Sequence, residues 1–360
     1  MPKLDAAIFS KMELSAEQEE QLAELKSSVD ELIADEANIA QIKTAYDEYI
    51  EACFDYRHYE DAETGLNFIN EHSETFELSD AETADLRRHF GVVAFSKKET
   101  DTAKTEFEKA LQFLEDSTDE DETLRAKLLA DLGNLAALKE DFSTAIEHYE
   151  AAIEINEENE IDAATPFHNL GLVYLESQNL DEAVDCFEAA LEIYQEENDV
   201  AQQENMHLLL GSVYFSQENL TDALRNYHYA TELQAEKSEK LGKTYVSMVS
   251  ILLKMGENQK AVEFYEKALP ILIEHSDLEL KAEHYFQIAN LYNRYIEDYE
   301  SAIKYYQHSL EIAATDEEHI EWRDLMVAKL EDSIAISQEN LDKQNKKQSK
   351  SGLFKRLFKK

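Results

Sequence analysis

Residues 171–190 read GLVYLESQNLDEAVDCFEAA, with small and aromatic residues at regular intervals. Gly171 is followed twelve positions later by Ala183, which is followed by Phe187 after four residues and by Ala190 after three more. Spacings of three and four place residues on one face of an α-helix. Small residues allow two helix backbones to approach closely, and the aromatic side chain fills the space beside them. The stretch therefore predicts two antiparallel helices joined by a short polar turn.

The same pattern recurs along the chain at a mean interval of 40 residues. The first alanine returns as Ala62, Ala103, Ala145, Ala183, Ala223, Ala261 and Ala302. A large apolar residue follows four positions after each of these: Leu66, Phe107, Tyr149, Phe187, Tyr227, Tyr265 and Tyr306. Most copies have the later small residue (Ala110, Ala152, Ala190, Ala230, Ala268, Ser309), and four have the glycine (Gly91, Gly133, Gly171, Gly211). Self-similarity at this period is the signature of a stacked repeat protein.

With these positions in register, the sequence resembles the tetratricopeptide repeat (TPR) family in its long form, over residues 43–316 and about seven copies. Some copies depart from the pattern. Ile50 and Val249 replace the glycine, Ile69 replaces the later small residue, and Ala289 is followed by one extra residue before the turn alanine. The resemblance implies an all-α, right-handed superhelical solenoid of helix-turn-helix repeats with a concave groove.

A stack of repeats needs helical caps at both ends. Before the repeats, a stripe at helical spacing is formed by Leu22, Leu25, Val29, Leu32 and Ile33, and after them another is formed by Trp322, Leu325, Leu330 and Ile334. We therefore divide the chain into an N-terminal helical cap (1–42), the repeats (43–316), a C-terminal capping helix (317–342) and a basic amphipathic tail (343–360) that we expect to be disordered when unbound.

Composition excludes several classes of function. The formal net charge of −44 repels nucleic acid, and a hydrophobic content of 43% excludes a disordered acidic chain. The eight glycines form no GxGxxG motif or P-loop, and the eleven histidines form no HExxH motif or Cys/His group. We therefore expect no enzyme activity, no cofactor and no metal site, and we do not expect nucleic acid as a partner.

Cysteine usage and the N-terminal sequence indicate a compartment. The two cysteines, Cys53 and Cys186, both fall inside helical patterns, which excludes a disulfide framework and favours a reducing environment. The first residues lack the basic and apolar segments of an export signal, and no stretch reaches about 18 consecutive apolar residues. We expect a cytoplasmic protein.

By the resemblance, the first helix of each pair lines the groove. Counting from the glycine position, we expect groove residues at Arg88, His89, Asn134, His168, Asn169, Leu172, Leu175, Leu208, Leu209, Ser212, Phe215, Val246, Ser250, Leu253, Phe286 and Asn290. Asn134 and Asn169 occupy positions where family members use asparagine to hold a ligand backbone. Ala130, Asn205 and Leu209 stand where chaperone-binding members have basic residues, so chaperone C-terminal peptides are disfavoured as ligands.

The end of the chain differs from everything before it. Residues 343–360 carry +8, so residues 1–342 carry −52 of the total of −44. Within the tail, Leu353, Phe354, Leu357 and Phe358 form one apolar stripe at helical spacing, and Lys355, Arg356, Lys359 and Lys360 surround it. Such a segment suits an anionic membrane surface. It also suits the protein's own groove. A solubilising basic tail is the third alternative.

Together these features predict a protein-interaction scaffold or adaptor that holds a peptide or a helix in its concave groove. In this interpretation the tail tethers the protein to the cytoplasmic face of a membrane. The alternative is a ligand-controlled regulator in which the tail occupies the groove as an autoinhibitory plug.

Overall fold

The structure is a computed structural model that describes residues 14–34, 38–116, 121–234 and 238–357, with side chains through residue 348 except that of Asp116. Within these ranges the regular elements are seventeen α-helices and one π-helical turn, and consecutive helices pack in pairs. This arrangement confirms the all-α class and the helical-repeat fold. The chain forms two compact units, Met1–Glu196 and Glu197–Lys360.

The first unit contains ten helices. They are α1 (Ala16–Ala34), α2 (Ile39–Asp55), α3 (Glu63–Glu71), α4 (Ser73–Phe76), α5 (Asp80–Ser96), α6 (Thr100–Asp116), α7 (Glu122–Leu138), α8 (Phe142–Glu158), α9 (Ala164–Glu176) and α10 (Leu180–Glu196). The second unit contains α11 (Val200–Ser216), α12 (Leu220–Leu233), α13 (Glu239–Lys254), α14 (Asn258–Glu274), α15 (Leu278–Leu291), a π-helical turn (Tyr292–Ile296), α16 (Tyr299–Ala313) and α17 (Ile320–Leu357).

Each predicted glycine lies against the aromatic ring of its paired helix. A Cβ atom added to Gly171 would lie 2.6 Å from Cε1 of Phe187, whose side chain is fully buried. The same contact joins Gly91 to Phe107, Gly133 to Tyr149 and Gly211 to Tyr227. The periodic small and aromatic residues are therefore the contact points of the helix pairs, as the spacing predicts.

In two copies that lack the repeat glycine, a glycine at another position makes the close helix contact. In the first copy, Gly65 on α3 faces Tyr46 and Ile50 on α2; its added Cβ would lie 2.7 Å from Cδ1 of Tyr46 and 3.0 Å from Cδ1 of Ile50. The small and large residues have thus exchanged helices. In the Val249 copy, Gly242 lies against Leu272, at 2.8 Å from its Cδ2. These two glycines, isolated in the sequence, therefore mark close helix contacts.

The extra residue of the last copy also has a structural explanation. Ala302 lies thirteen positions after Ala289, instead of the twelve positions of the other copies, and the helix between them changes to a π-helical turn at Tyr292–Ile296. A π turn closes hydrogen bonds over five residues and so accommodates one additional residue. The turn alanine thereby keeps its buried position, with no exposed surface.

The turn within each pair has a recurrent left-handed residue. It lies five positions before the turn alanine and has positive φ in all seven copies: Arg57, Lys98, Glu140, Gln178, Glu218, Gly256 and Glu297. Only Gly256 among them is a glycine, with φ of +76°. The other six copies hold a non-glycine residue in a conformation that costs L-amino acids free energy.

The caps follow the predicted stripes with one exception at each end. Val29 is buried in α1, and Leu330 is buried in α17, where each packs on the adjacent repeat. Ile33 and Leu325 are 45% and 74% exposed, so the prediction that they cover the repeats is wrong. Both lie too far around their helices from the packed side.

The helix α17 has no break at residue 342. Its backbone continues through the first part of the basic tail to Leu357, and residues 358–360 lie outside the described residues. Side chains from residue 349 onward are also outside the described set, including those of the predicted tail stripe. Disorder of the unbound tail therefore stays a prediction.

Candidate functional site

The first unit has a partly open cavity of about 780 Å³. Its walls come from α2, α5, α7, the end of α8 and the start of α9, and a volume of this size is typical of ligand-binding clefts. Its polar lining includes Lys43, Asp47, Glu51, Asp55, Glu82, Asp85, Arg88, His89, Lys127, Asp131, Asn134, Asn156, Asp162 and Asn169. Four predicted groove residues are among them: Arg88, His89, Asn134 and Asn169.

A short hydrogen-bond chain joins the two asparagines. The Oδ1 atom of Asn134 accepts from the hydroxyl of Tyr149 at 2.6 Å and from Nδ2 of Asn169 at 3.1 Å. Burial raises the pKa of Tyr149, so its hydroxyl stays a donor. Among the described residues, nothing hydrogen-bonds to Nδ2 of Asn134 or Oδ1 of Asn169. The cavity thus presents one amide donor and one amide acceptor, the two groups needed to pair with a peptide unit.

An ion pair lies beside this chain. Arg88 donates from Nε to Oδ2 of Asp131 at 2.7 Å, and the two side chains are only 17% and 15% exposed. Burial raises the pKa of Asp131, and the Arg88 charge opposes that shift. The terminal guanidinium nitrogens of Arg88 form no hydrogen bond with the described residues, so they can donate to a bound ligand.

His89 is a neutral wall of the cavity. Its ring meets the ring of Phe54 edge-on at a centroid distance of 4.2 Å. Burial lowers the pKa of His89 to about 4, although the nearby Asp85 carboxylate favours the charged form. At neutral pH the imidazole therefore adds no positive charge to the cavity.

The charged lining is predominantly acidic. Three side chains are cationic (Lys43, Arg88, Lys127) and seven are carboxylates (Asp47, Glu51, Asp55, Glu82, Asp85, Asp131, Asp162), a formal balance of −4. Field lines concentrate in a cleft with low-dielectric walls, so such a lining attracts cations. A ligand of this cavity is expected to be basic.

Asn156 is a lining residue that sequence reasoning missed. Its Nδ2 donates to the carbonyl of Asp162 at 2.9 Å, while Oδ1 is buried and has no hydrogen-bond partner among the described residues. A buried unsatisfied acceptor costs free energy unless a ligand or water pairs with it. Asn156 lies outside the repeat positions that predict groove residues, so no sequence signal marked it.

Other predicted groove residues of the first unit pack in the core. Leu172 and Leu175 are 4% and 6% exposed, which places them between helices. His168 lies edge-on to Phe187 at 6.3 Å, and burial lowers its pKa to about 4. None of these three side chains lines the cavity.

The predicted groove residues of the second unit differ from one another in exposure. Leu209 is buried, whereas Leu208, Ser212, Phe215, Val246, Leu253, Phe286 and Asn290 are half-buried and Ser250 is exposed. Lys254 and Lys329 place their ammonium groups over the rings of Phe215 and Phe286, at 4.3 and 4.0 Å from the ring centroids. Asn290 accepts a hydrogen bond from Tyr306 at 2.8 Å.

Reactive and metal-ligating groups are few in the described part of the chain. Burial raises the pKa of Cys53 to about 11 and that of Cys186 to about 12, so both thiols stay protonated. One group of possible metal ligands is found there, Glu279, Asp316 and His319, with Nδ1 of His319 3.2 and 3.1 Å from the two carboxylates. Hydrogen bonds from a protonated His319 account for this arrangement.

None of the described helices is both long and apolar enough to span a membrane.

Comparisons with known proteins identify the family. A tetratricopeptide repeat model matches residues 82–158, 162–236, 202–274 and 240–315. No curated protein matches the sequence.

Among solved structures, apo RapI is 17% identical over 91% of this chain and 98% of its own, with a TM-score of 0.56. The C-terminal part of a TPR repeat-containing protein from Cytophaga hutchinsonii is 14% identical over 76% and 98%, with a TM-score of 0.54. The apo quorum sensor NprR from B. thuringiensis is 16% identical over 80% of both chains, with a TM-score of 0.51.

These likenesses show a shared fold. Because the repeat matches cover most of the chain and the helix pairs have the predicted contacts, the chain belongs to the tetratricopeptide repeat family.

Proposed function

We propose that this protein is a non-enzymatic interaction scaffold that binds a peptide or a helical segment in the cavity of its first unit. The observation that carries the proposal is the pair of free amide groups on Asn134 and Asn169. Asn134 is oriented by Tyr149, so the two groups are already in place before a ligand arrives. Preorganised hydrogen-bonding groups reduce the entropic cost of binding.

The ligand class follows from the lining charges. A formal balance of −4 favours a basic peptide, and the terminal nitrogens of Arg88 offer one point for a carboxylate. The acidic lining also disfavours nucleic acid as an occupant. Binding is expected to weaken as salt is raised, because screening reduces attraction between the lining and a cationic ligand.

A peptide-display selection on the full chain tests this function. We expect selected peptides to be enriched in Lys and Arg and to lose affinity about tenfold or more for Asn134→Ala with Asn169→Ala, since two hydrogen bonds are lost. Asn159→Ala, at an exposed helix end outside the cavity, is the matched control. Peptides that bind the double variant as tightly as the wild type would exclude this cavity as the site.

A second candidate function is a regulator whose tail occupies the cavity. The acidic lining favours it, because residues 343–360 carry +8. A synthetic peptide of residues 343–360 should compete with selected basic peptides for the wild-type chain, and a peptide of the same composition in scrambled order should compete less. Equal competition by both peptides would show that only the positive charge matters and would contradict specific binding of the tail sequence in the cavity.

Peripheral membrane attachment through the tail is a further proposal. The sequence spacing of Leu353, Phe354 and Leu357 is that of an apolar helical stripe, and the backbone is helical through Leu357. Burying such side chains contributes roughly 1.5–3 kcal/mol each, and each nearby cation adds about 1 kcal/mol. Ordering costs offset part of this, so attachment should be reversible, on the cytoplasmic face of a membrane.

Vesicle co-sedimentation tests the attachment. The full chain should pellet with anionic vesicles at low salt and stay soluble with neutral ones. Leu357→Glu with Phe358→Glu should release it, whereas Ile33→Glu, at an exposed site in α1, should leave binding unchanged. Equal recovery of the tail variant and the wild type on anionic vesicles would refute the tether.

A further inference from the structure

One wall of the cavity carries a regular row of carboxylates. Asp47, Glu51 and Asp55 lie four residues apart on α2, and all three are exposed and line the cavity. At 3.6 residues per turn this interval keeps the side chains on one side of the helix, with a rise of about 6 Å from one to the next. We call these three residues the acidic row.

Two members of the acidic row have no partner. Lys43 pairs with Asp47 at 2.8 Å, whereas no hydrogen bond or ion pair joins Glu51 or Asp55 to another described residue. Like charges four residues apart destabilise a helix. An acidic residue is also unfavourable at a helix C-terminus, and Asp55 is the last residue of α2. These two carboxylates therefore do not stabilise their own helix, and bound cations would relieve the repulsion between them.

The cavity offers further unpaired acceptors at α8 and α9. Asn156 is only 4% exposed, and its Oδ1 atom has no hydrogen-bond partner among the described residues. The Oδ1 atom of Asn169 is likewise unpaired in that part of the chain, because Asn169 bonds to Asn134 through Nδ2. Unpaired acceptors on α2, α8 and α9 require a ligand that is rich in donors, and a peptide supplies them as backbone N–H groups and cationic side chains.

The backbone contacts favour an extended peptide. A helical segment bonds its N–H and C=O groups internally, so it has none to spare for the amides of Asn134 and Asn169. In an extended segment successive side chains point to opposite sides, and residues two apart lie on one side at about 6.6 Å. This separation differs by about 0.6 Å from the rise between neighbours of the acidic row. Adjacent basic residues point to opposite sides, so only one of them can reach the row.

We infer that the acidic row selects peptides by the spacing of their basic residues. The ligand is an extended segment in which two Lys or Arg residues, separated by one residue, pair with Glu51 and Asp55. The inference rests on the proposed function, because Asn134 and Asn169 hold the backbone of the same peptide. Residues 343–360 contain no two basic residues with this spacing, so an extended tail peptide should compete less well than a peptide that has it.

Selection from a phage-displayed library of random heptapeptides tests the inference. Among peptides enriched by the full chain, basic pairs separated by one residue should be several-fold more frequent than adjacent basic pairs, relative to the unselected library. Glu51→Gln with Asp55→Asn should lose this preference. Glu192→Gln with Glu196→Gln is the matched control, because these exposed residues end α10 at the same four-residue spacing and lie outside the cavity lining. Equal enrichment of both spacings by the wild type overturns the inference.

Fluorescence anisotropy measures the preference on single peptides. A selected peptide is compared with an isomer in which one basic residue has exchanged places with its neighbour, so that the two basic residues become adjacent. The Kd of the isomer should be about fivefold higher for the wild type and the control variant, the effect of losing one exposed ion pair. For Glu51→Gln with Asp55→Asn, parent and isomer should bind equally.

The variant Asn134→Ala with Asn169→Ala separates the two proposals. Peptides that bind this variant as tightly as the wild type contradict the proposed function, and the spacing inference falls with it. Weaker binding to this variant, combined with equal Kd values of parent and isomer for the wild type, leaves the proposed function standing and overturns the spacing inference alone.

Charge reversal excludes a folding defect as the cause. Glu51→Lys with Asp55→Lys should select peptides with two acidic residues separated by one residue, a new specificity that a damaged fold cannot produce. Failure to select such peptides, in a chain with unchanged circular dichroism, contradicts direct pairing between the acidic row and the ligand.

Discussion

Replacing Gly171 by alanine sets two effects of known size against each other. Alanine is favoured over glycine inside a helix by about 1 kcal/mol. The new Cβ would lie 2.6 and 2.7 Å from Cε1 and Cδ1 of Phe187, well inside the usual carbon–carbon separation of about 3.5–4.0 Å. Phe187 is fully buried and cannot move into solvent. Overpacking of this kind costs about 1–3 kcal/mol, so Gly171→Ala should destabilise by roughly 1 kcal/mol despite its better helix propensity.

Gly211→Ala is the matched comparison. Its added Cβ would lie 3.1 Å from the ring of Tyr227, which is only half-buried and can shift by a few tenths of an ångström. The helix propensity then prevails, and we expect a neutral to mildly stabilising change. Both substitutions occupy the same repeat position, so the difference between them isolates the ring contact.

Urea unfolding followed by circular dichroism measures both variants. In a double-mutant cycle, Phe187→Leu should relieve part of the cost of Gly171→Ala, with a coupling of about 1 kcal/mol. Gly171→Ala with wild-type or higher stability, or strictly additive effects in the cycle, would refute the idea that glycine is required by the close ring contact.

The remaining predictions concern the turns and two histidines. Gly256→Ala should destabilise the fold by about 1 kcal/mol; φ is +76° and no atom lies within 4 Å of the added Cβ, so the cost comes from the backbone conformation alone. Glu218→Gly should stabilise the fold by about 1 kcal/mol, because it removes the strain of a left-handed non-glycine residue. Chemical unfolding measures both changes. His168 has a folded pKa of about 4, so the unfolded chain binds its proton first and stability is lost as pH falls from about 6.5 towards 4. His168→Gln should flatten that part of the stability curve, and an unchanged acid slope would count against the burial of a neutral imidazole. Hydrogen bonding to Asp316 raises the pKa of His319, so its contribution is present below about 6.5 and lost as pH rises through the folded pKa. His319→Gln should therefore destabilise more at pH 5.5 than at pH 9, in thermal melts at both values, and an equal effect at both would exclude the charged hydrogen bond.

Periodic residues predict the helix pairs because each repeat position makes the same packing contact in every copy. The Gly171–Phe187 contact and its equivalents recur at fixed spacing, and so they can be found without coordinates. A glycine at another position that takes the place of a missing repeat glycine cannot be found from the spacing. Gly65 and Gly242 sit outside the repeat register, and only the three-dimensional packing shows that they replace the missing glycines.

The site is predicted less completely than the fold. Asn134 and Asn169 are at expected groove positions and line the cavity. Leu172 and Leu175 lie on the same helix as Asn169, but their side chains are buried. A one-residue step turns a side chain by about 100°, so counting from the glycine cannot separate groove from core reliably. Asn156 lies on a second helix of its pair, where the family resemblance predicts no groove residue.

In the proposed function, the cavity of the first unit receives a peptide between Asn134 and Asn169. A crystal structure of the full chain with a selected basic peptide tests it most directly. We predict that one peptide carbonyl accepts from Nδ2 of Asn134 and that a peptide N–H donates to Oδ1 of Asn169, with basic side chains towards the cavity carboxylates. A peptide bound on another surface, with both amide groups unengaged, would contradict the account.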